Sequence, residues 1–409
     1  MPAFWNNFHA YRCPLIVYYY YYEECDIVRV FLLCTGLGHV RRGYESFTQE
    51  CFAALADVPE LNITLFQGGK TNLANATTLW NLPRNHTFAK QLAARFGKSY
   101  TLIDPYFIEQ ISFCLSLIPH LYKGRPDVVF FSDFALGTML WHWRRISKLS
   151  YKLLFSNGAP NGPPFSRMDH VQHLTLMHHQ TALEAGEPAS KHSLVPYGIQ
   201  MNQEYENLSQ IERNALRRKL DLPINRPIAL SVAAINKSHK RIDYLIREVA
   251  SLPEPRPYLL LLGQIEEESQ EILELGNKLL GSENFQAKTV AASAIADFYR
   301  VSDLFVLASL NEGFGRVLLE AMVYGLPCLV HDYEITRFVL KSQGYFSDFT
   351  ACGSLSTLVK EVLSHSNDEE KFQRHKFIYE RFSWDRLRPD YVEMLHICAN
   401  SRTKTHVDL

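Results

Sequence analysis

Short apolar runs with no polar break alternate with helix-length segments along this chain, and the alternation starts afresh near its middle. VRVFLLC (28–34) is followed by a helical pattern at 44–55 and then by NITLFQG (62–68). Helical patterns at 88–96 and 105–121 lead to DVVFFS (127–132), a helix to about residue 148, YKLLFS (151–156), HVQHLTL (170–176) and SLVPYGI (193–199). A strand that is apolar at every position needs cover on both faces, and intervening helices supply it while making the strands parallel. After Tyr197 a polar helix (208–220) opens a second series: PIALSVAAI (227–235), a helix at 241–252, PYLLLLG (257–263), a charged helix from Glu266, NFQAKTV and a short helix at 294–300. With 409 residues the chain exceeds one ordinary core. The expectation is two doubly wound α/β halves, 28–200 and 201–380, with a closing segment at 381–409. A ligand would then lie between them, at the carboxyl ends of both sheets.

The second series culminates in SDLFVLASLNEGFGRVLLEAMVYGLPCLV (302–330), which reads as strand, glycine-broken turn, helix, turn and strand. Glu312 and Glu320 bracket the turn and helix, eight positions apart. If wholly helical, that separation is about 12 Å, close to the length of a diphosphate carrying a sugar and a ribose. Gly313 and Gly315 tolerate unusual backbone angles and leave the first helical amides free for a phosphate or sugar hydroxyls.

The E-x7-E spacing, the GFG within it and the trailing EAMVYGLP resemble the donor-site signature of retaining glycosyltransferases of the GT-B fold, the glycogen-synthase-like class (group 1, family 4-like). The resemblance implies two Rossmann-like domains facing a cleft and a C-terminal helix crossing back onto the first, with Trp384 as its anchor. It also implies that Glu312 contacts the transferred sugar and Glu320 the ribose. The amides of Gly313, Phe314, Gly315, Arg316 and Val317 would then meet sugar hydroxyls or phosphate. SVAAINKSHKRIDYLI (231–246) resembles the family's strand-loop-helix whose Arg and Lys, six apart, clamp the diphosphate. Lys240 holds the Lys position and would neutralise the departing nucleoside diphosphate. The Arg position holds Ala234, which cannot donate to a phosphate; Asn236, Lys237 and Arg241 are the candidate substitutes. Gly263 ends a strand where the family places the nucleotide, and 290–294 lies where the base is enclosed, leaving uracil and guanine both open.

CTGLGHVRRG (34–43) directly follows the first strand. By itself it is equally a tight structural turn. In the family the same place holds a glycine-rich loop facing the diphosphate, which would assign Gly36 and Gly38 to the donor. Arg41 and Arg42 read as solvated surface groups. Its spacing is not G-x-G-x-x-G, and no acidic residue closes a second strand, so a dinucleotide site is not expected. The family also carries a histidine at the end of a first-domain strand; here FSNGAP puts Ser156 or Asn157 there. His39, His170, His173, His178 and His179 are the histidine candidates for that centre, with His39, beside the glycines, foremost. No HExxH or carboxylate cluster accompanies them, so neither a metal nor another cofactor is expected.

Lys and Arg number 42 against 43 acidic residues, so net charge gives no general reason to expect nucleic acid. Eight scattered cysteines with no C-x-x-C pair fit a reducing cytosol, and no apolar run approaches a membrane span of about 20 residues. Residues 1–27, with five consecutive tyrosines, make a poor signal peptide and read as an upstream extension; a membrane-surface anchor is the other reading.

The expected activity is transfer of a sugar from a nucleotide-diphosphate sugar to an acceptor hydroxyl with retention of configuration, in the cytoplasm or peripheral to a membrane. The acceptor is left open among glycans, lipids and small molecules; 68–78 and 157–165 are the loops expected to shape its pocket. The alternatives are an epimerase or phosphorylase of the same fold and a catalytically degenerate sugar-binding protein, to which Ala234 points.

Overall fold

The computed structural model describes residues 27–40, 42–96, 104–265, 267–365 and 367–401. The segment 1–26 and Arg41 lie outside them. The first half forms an all-parallel sheet of β1 (Val28–Cys34), β2 (Leu61–Gln67), β3 (Ala76–Thr78), β4 (Val128–Phe131), β5 (Lys152–Asn157), β6 (His170–His173) and β7 (His192–Leu194). Its spatial order is β3-β2-β1-β4-β5-β6-β7, with Val28 paired to Leu61 and Val30 to Val128. Helices α1 (Gly43–Leu55), α2 (Thr87–Phe96), α3 (Pro105–Gly124), α4 (Phe134–Ser147) and α5 (Leu176–Glu184) join these strands. The start of α3 is written in sequence: Asp104 accepts a hydrogen bond from the Phe107 amide at 2.7 Å, and Pro105 fills the first helical position.

The second half repeats the plan with β8 (Ile228–Val232), β9 (Tyr258–Leu262), β10 (Phe285–Lys288), β11 (Leu304–Leu307), β12 (Cys328–His331) and β13 (Tyr345–Ser347), ordered β10-β9-β8-β11-β12-β13. Its helices are α6 (Gln210–Lys219), α7 (Ile242–Ala250), α8 (Gln270–Leu280), α9 (Ala292–Val301), α10 (Arg316–Val323), α11 (Glu334–Leu340), α12 (Ser354–Ser364), α13 (Asp368–Phe382) and α14 (Trp384–Asn400). The alternation of apolar strands and helices thus becomes two parallel sheets. The small edge strand β3 sits inside a stretch read as a loop, and β6 stops three residues short of the predicted run.

Each sheet reverses its strand order once, at β1/β4 and at β8/β11. Strands on either side of such a point send their connections to opposite faces, which leaves a crevice beyond their carboxyl ends. Four loops open there: Thr35 onward after β1, Asp133 after β4, 233–241 after β8 and 308–315 after β11. Three of the four carry residues singled out above.

The halves are joined by packing as well as by chain. The chain leaves α13 through Phe382, whose carbonyl accepts from the Ile199 amide at 2.8 Å, and enters α14. Helix α14 then packs against α1, β1, β4 and β5 of the first half, the crossing that the sequence led us to expect. Trp384, 3% exposed, lies 6.0 Å from Phe47 and 5.0 Å from Tyr391 between ring centroids, under the backbone of Gly198. Tyr391 donates to the Pro196 carbonyl at 2.8 Å and accepts from Gln172 Nε2 at 2.9 Å, so its buried hydroxyl is satisfied as both donor and acceptor.

Candidate active site

In the second half, the loop after β8 is wound by Asn236, whose Oδ1 accepts from the amides of His239 (3.2 Å) and Lys240 (2.9 Å). This side-chain-to-backbone turn aims Lys240 at the loop after β11, where its Nζ meets Glu312 Oε1 at 2.5 Å. Both side chains are partly exposed, at 25% and 14%. The two residues singled out as catalytic therefore form one ion pair at the crevice. Tyr333, at the start of α11, has a buried hydroxyl without a hydrogen-bond partner, and burial together with the Glu312 charge raises its pKa. Ser309 Oγ, just beyond β11, is also buried and unpartnered. Neither residue was picked out from sequence; the signal was their position immediately past strands β12 and β11.

The helix behind this pair, α10, begins at Arg316, after Gly315 has turned the chain with φ at +79°. Only the second half of the Glu312–Glu320 interval is helical, so a wholly helical 12 Å spacing does not describe it. Glu320 accepts from the Tyr299 hydroxyl at 3.2 Å and lies 3.5 Å from Arg316 Nε. Burial raises its pKa, the Arg316 charge opposing and the Glu50 charge assisting.

The side chains around the expected donor amides are committed elsewhere, and the expected substitutes for the missing arginine are placed away from Lys240. Phe314 is 4% exposed and packs between Tyr197 (5.7 Å) and Phe382 (5.9 Å), in the apolar layer shared by both halves; it is a core residue. Arg316 is 6% exposed, ion-paired with Glu50 of α1, and donates to the Gly198 carbonyl at 2.9 Å. It joins the two halves, and Val317 packs against the same core. Of the substitutes for the missing arginine, Lys237 is exposed and paired with Glu271 at 2.5 Å. Arg241 donates to the Phe349 carbonyl at 2.9 Å and stacks on Tyr244. Among the three candidates named in sequence, then, none places a free cation beside Lys240; Asn236 acts by shaping its loop. Gly263 meets the β8 loop backbone to backbone: a methyl group on it would stand 1.9 Å from the Ala233 carbonyl oxygen.

Across the crevice, the β1 loop carries Gly36, Gly38 and His39. Gly38 has φ at +88° and lies against the backbone of Gly69, in the loop after β2. His39 Nε2 lies 3.0 Å from Asn81 Oδ1, while Asn81 Nδ2 donates to the Thr35 carbonyl at 3.0 Å. With the amide orientation fixed by Thr35, the Nε2 of a neutral His39 is the donor, and Nδ1 carries the lone pair. Asn157 is not free for a reacting centre. Its amide donates to the Asn161 carbonyl (3.0 Å) and accepts from the Asn161 amide (2.7 Å), bracing the 157–161 turn. That turn closes the crevice: a methyl group on Gly313 would stand 2.3 Å from the Gly158 carbonyl oxygen.

The other histidines lie along β6, β7 and α5. His173 Nε2 and His192 Nδ1 are 2.9 Å apart, His170 Nε2 is 2.7 Å from Ser193 Oγ, and His178 Nδ1 is 2.9 Å from Thr175 Oγ1. Burial lowers His170 to about 4 and His173 to about 3, which keeps both neutral at neutral pH. Among the described residues, no group of three His, Cys, Asp or Glu is arranged to hold a metal ion.

A second polar cluster lies beneath the β1 loop and was not anticipated. Arg84 grips Glu109 with Nη2 to Oε1 at 2.6 Å and its amide to Oε2 at 2.8 Å, and its guanidinium covers the Tyr106 ring at 4.0 Å. Asp133 accepts from Thr35 Oγ1 at 3.1 Å and from the Tyr106 hydroxyl. Burial pushes its carboxyl up to about 6. Glu45, in the first turn of α1, is 6% exposed, its Oε2 has no partner, and burial raises its pKa too. These residues come from four separate segments, so no local motif displays them.

The fold described above is shared with solved structures. Sucrose-phosphate synthase from Thermosynechococcus elongatus superposes with a TM-score of 0.71 over 90% of this chain and 98% of its own, at 15% identity. HepE from Anabaena, in complex with UDP and glucose, superposes with a TM-score of 0.69 over 90% of this chain and 99% of its own, at 14% identity. The fold is GT-B. Residues 212–377 match the family described as glycosyl transferases group 1, which covers the GT-B half holding Lys240, Glu312 and Glu320. Mannosylfructose-phosphate synthase from Agrobacterium fabrum is 31% identical over 147 residues, 34% of this chain. The alignment spans about a third of that relative's length (32%).

Proposed function

We propose that this chain is a glycosyltransferase that moves a sugar from a nucleotide-diphosphate sugar to an acceptor hydroxyl with retention of anomeric configuration. The observation that carries the reading is the Lys240–Glu312 ion pair at the β8/β11 switch point, opposite the β1 loop. The match of 212–377 to glycosyl transferases group 1 supports it, as does the solved relative that holds UDP and glucose.

In the empty site Lys240 and Glu312 neutralise each other. A diphosphate arriving at Lys240 replaces the carboxylate as its counter-ion, and Glu312 is then free to accept hydrogen bonds from the sugar hydroxyls. Exchanging one anionic partner for another avoids leaving either group unpaired at any stage. As the glycosidic bond lengthens, negative charge collects on the departing phosphate, and the Lys240 ammonium stabilises it more than it stabilises the ground state. Glu320 accepts from the ribose hydroxyls, with Tyr299 and Arg316 fixing its orientation. The acceptor oxygen attacks on the face that the phosphate leaves, and its proton passes to that phosphate. No dedicated base is required.

The test is calorimetric titration with UDP- and GDP-linked sugars on wild type, Lys240→Ala and Glu312→Gln, followed by proton NMR of the anomeric signal of any product. One donor binds saturably, Lys240→Ala weakens it about 10- to 100-fold, and Glu312→Gln lowers kcat more than donor affinity. Inversion at the anomeric carbon, or turnover of donor alone to an epimer, would overturn the reading.

A further inference from the structure

The guanidinium of Arg316 stands between two carboxylates, one from each half, and divides its hydrogens between them. Arg316 opens α10, and Glu320 follows four residues later on the same helix. An arginine and a carboxylate at that spacing can close a two-bond fork through Nε and Nη2. Here the fork is split. Nη2 goes to Glu50 of α1, in the first half, and Nη1 donates to the Gly198 carbonyl at 2.9 Å. Nε is left 3.5 Å from Glu320 Oε1, facing it but without a hydrogen-bond partner.

Glu50 is held where it stands. Its Oε2 accepts from the Gln200 amide at 2.7 Å, in the chain that joins the halves, and from Trp384 Nε1 at 3.4 Å, at the start of α14. Glu320 is the opposite case. Its Oε2 accepts from the Tyr299 hydroxyl at 3.2 Å, and its Oε1 accepts no hydrogen bond from the described residues. The Glu320 side chain is 28% exposed, so a ligand can reach it. An ionised carboxylate has about four acceptor sites, and most of those on Glu320 are open. They stay open because Arg316 Nη2 is spent on Glu50.

We propose that Glu50 is a positioning residue for donor selection: by holding Arg316 Nη2 from the first half, it keeps Glu320 free to accept from the ribose hydroxyls. This rests on the transferase reading above, in which Glu320 is the ribose contact, and it adds a residue of the opposite half to that contact. Glu50 acts through Arg316 and not on the donor itself. The Arg316 side chain is 4% exposed, and a cation so buried needs a carboxylate. Once Glu50 is neutral, the guanidinium turns Nε and Nη2 together to Glu320, and the acceptors meant for the ribose diol are filled from within the protein. The property that Glu50 sets is therefore preference for a ribonucleotide over a nucleotide that lacks the sugar hydroxyls.

The experiment is calorimetric titration of the full chain with UDP, GDP and the 2′,3′-dideoxy form of each. Wild type binds one ribonucleotide at least about tenfold more tightly than its dideoxy form. Glu50→Gln keeps the shape and an acceptor for the Gln200 amide. It reduces that ratio at least about fivefold, through the ribonucleotide alone, and leaves dideoxy affinity where it was. In a Glu320→Gln background the same change has no further effect on the ratio, because the group it acts through is gone. Glu50→Asp, one methylene shorter with its charge kept, moves the ratio the same way by less, and it covers the case in which Glu50→Gln does not fold. A ratio unmoved by substitution at Glu50, an equal loss of both nucleotides, or effects that add to those of Glu320→Gln would overturn the proposal and leave the transferase reading standing. So would equal wild-type affinity for the ribo and dideoxy forms. Failure of the folded wild type to bind either UDP or GDP would instead refute the transferase reading, and this inference with it.

Discussion

Replacing Asp133 by asparagine makes a prediction whose size and sign both follow from burial. The carboxyl ionises at about 6 in the native protein, against an ordinary 3.8, because burial penalises the charged form more than Thr35 and Arg84 favour it. That difference corresponds to about 3 kcal/mol of native-state cost on the ionised side chain. Well below pH 3.8, near about pH 2, the group is protonated in both folded and unfolded chains and costs nothing. Between about pH 4 and pH 6 the unfolded chain ionises first, so native stability falls as pH rises, and above about pH 6 the full cost persists. Asparagine has the same shape and does not titrate. The stability of Asp133→Asn relative to wild type should therefore rise by about 2–2.5 kcal/mol between about pH 4 and pH 7, whatever its constant offset. Urea unfolding of both proteins at four pH values across that window reads the difference directly; titrating groups remote from Asp133 cancel in the comparison, while Glu45, which feels the Asp133 charge, adds to it. Parallel stability curves, or a relative stability of the variant that falls with pH, would refute the argument that Asp133 is held in a site hostile to charge.

Two further outcomes test how the halves meet. Trp384→Ala removes the anchor of α14 from its layer with Phe47 and Tyr391, and should cost about 3–5 kcal/mol by thermal or urea unfolding. Gly313→Ala drives a methyl group to 2.3 Å from the Gly158 carbonyl oxygen, so the two loops must part. It should lower stability by about 1–3 kcal/mol and reduce donor affinity, whereas Gly162→Ala, with nothing within 4 Å, should do neither.

The parts of this molecule that depend on local pattern were legible in the sequence. Continuous apolar runs became the central strands, and the E-x7-E segment with Lys240 reached the crevice because each follows a strand directly. The crossing of α14 with Trp384 came from the family resemblance; the local pattern displays only an amphipathic helix there. What was not legible depends on distant partners. Phe314 sits in a glycine-flanked turn whose amides read as ligand contacts, and only the fold shows its ring buried against Tyr197 and Phe382. Asn157 reads as a polar group offered at a strand end, but Asn161 takes both ends of its amide. Arg316 reads as a residue that offers its amide at a helix start, and only the fold brings Glu50, 266 residues away in sequence, to its guanidinium. The cluster of Glu45, Arg84, Glu109 and Asp133 had two weak traces: a carboxylate inside the apolar face of α3, and an aspartate two residues past the buried run VVFF.

The route of α14 has a consequence for synthesis. The strands β1, β4 and β5 and helix α1 leave the ribosome first, with the face that α14 covers still bare. From the end of the first half near residue 200, translation must continue to Trp384 and beyond before that cover exists. At ordinary elongation rates of about 5–20 residues per second, the wait is roughly 10–40 s. During it Phe47 and its aromatic neighbours stand open to solvent and to other nascent chains. Any truncation before residue 384 turns that transient exposure into a permanent one.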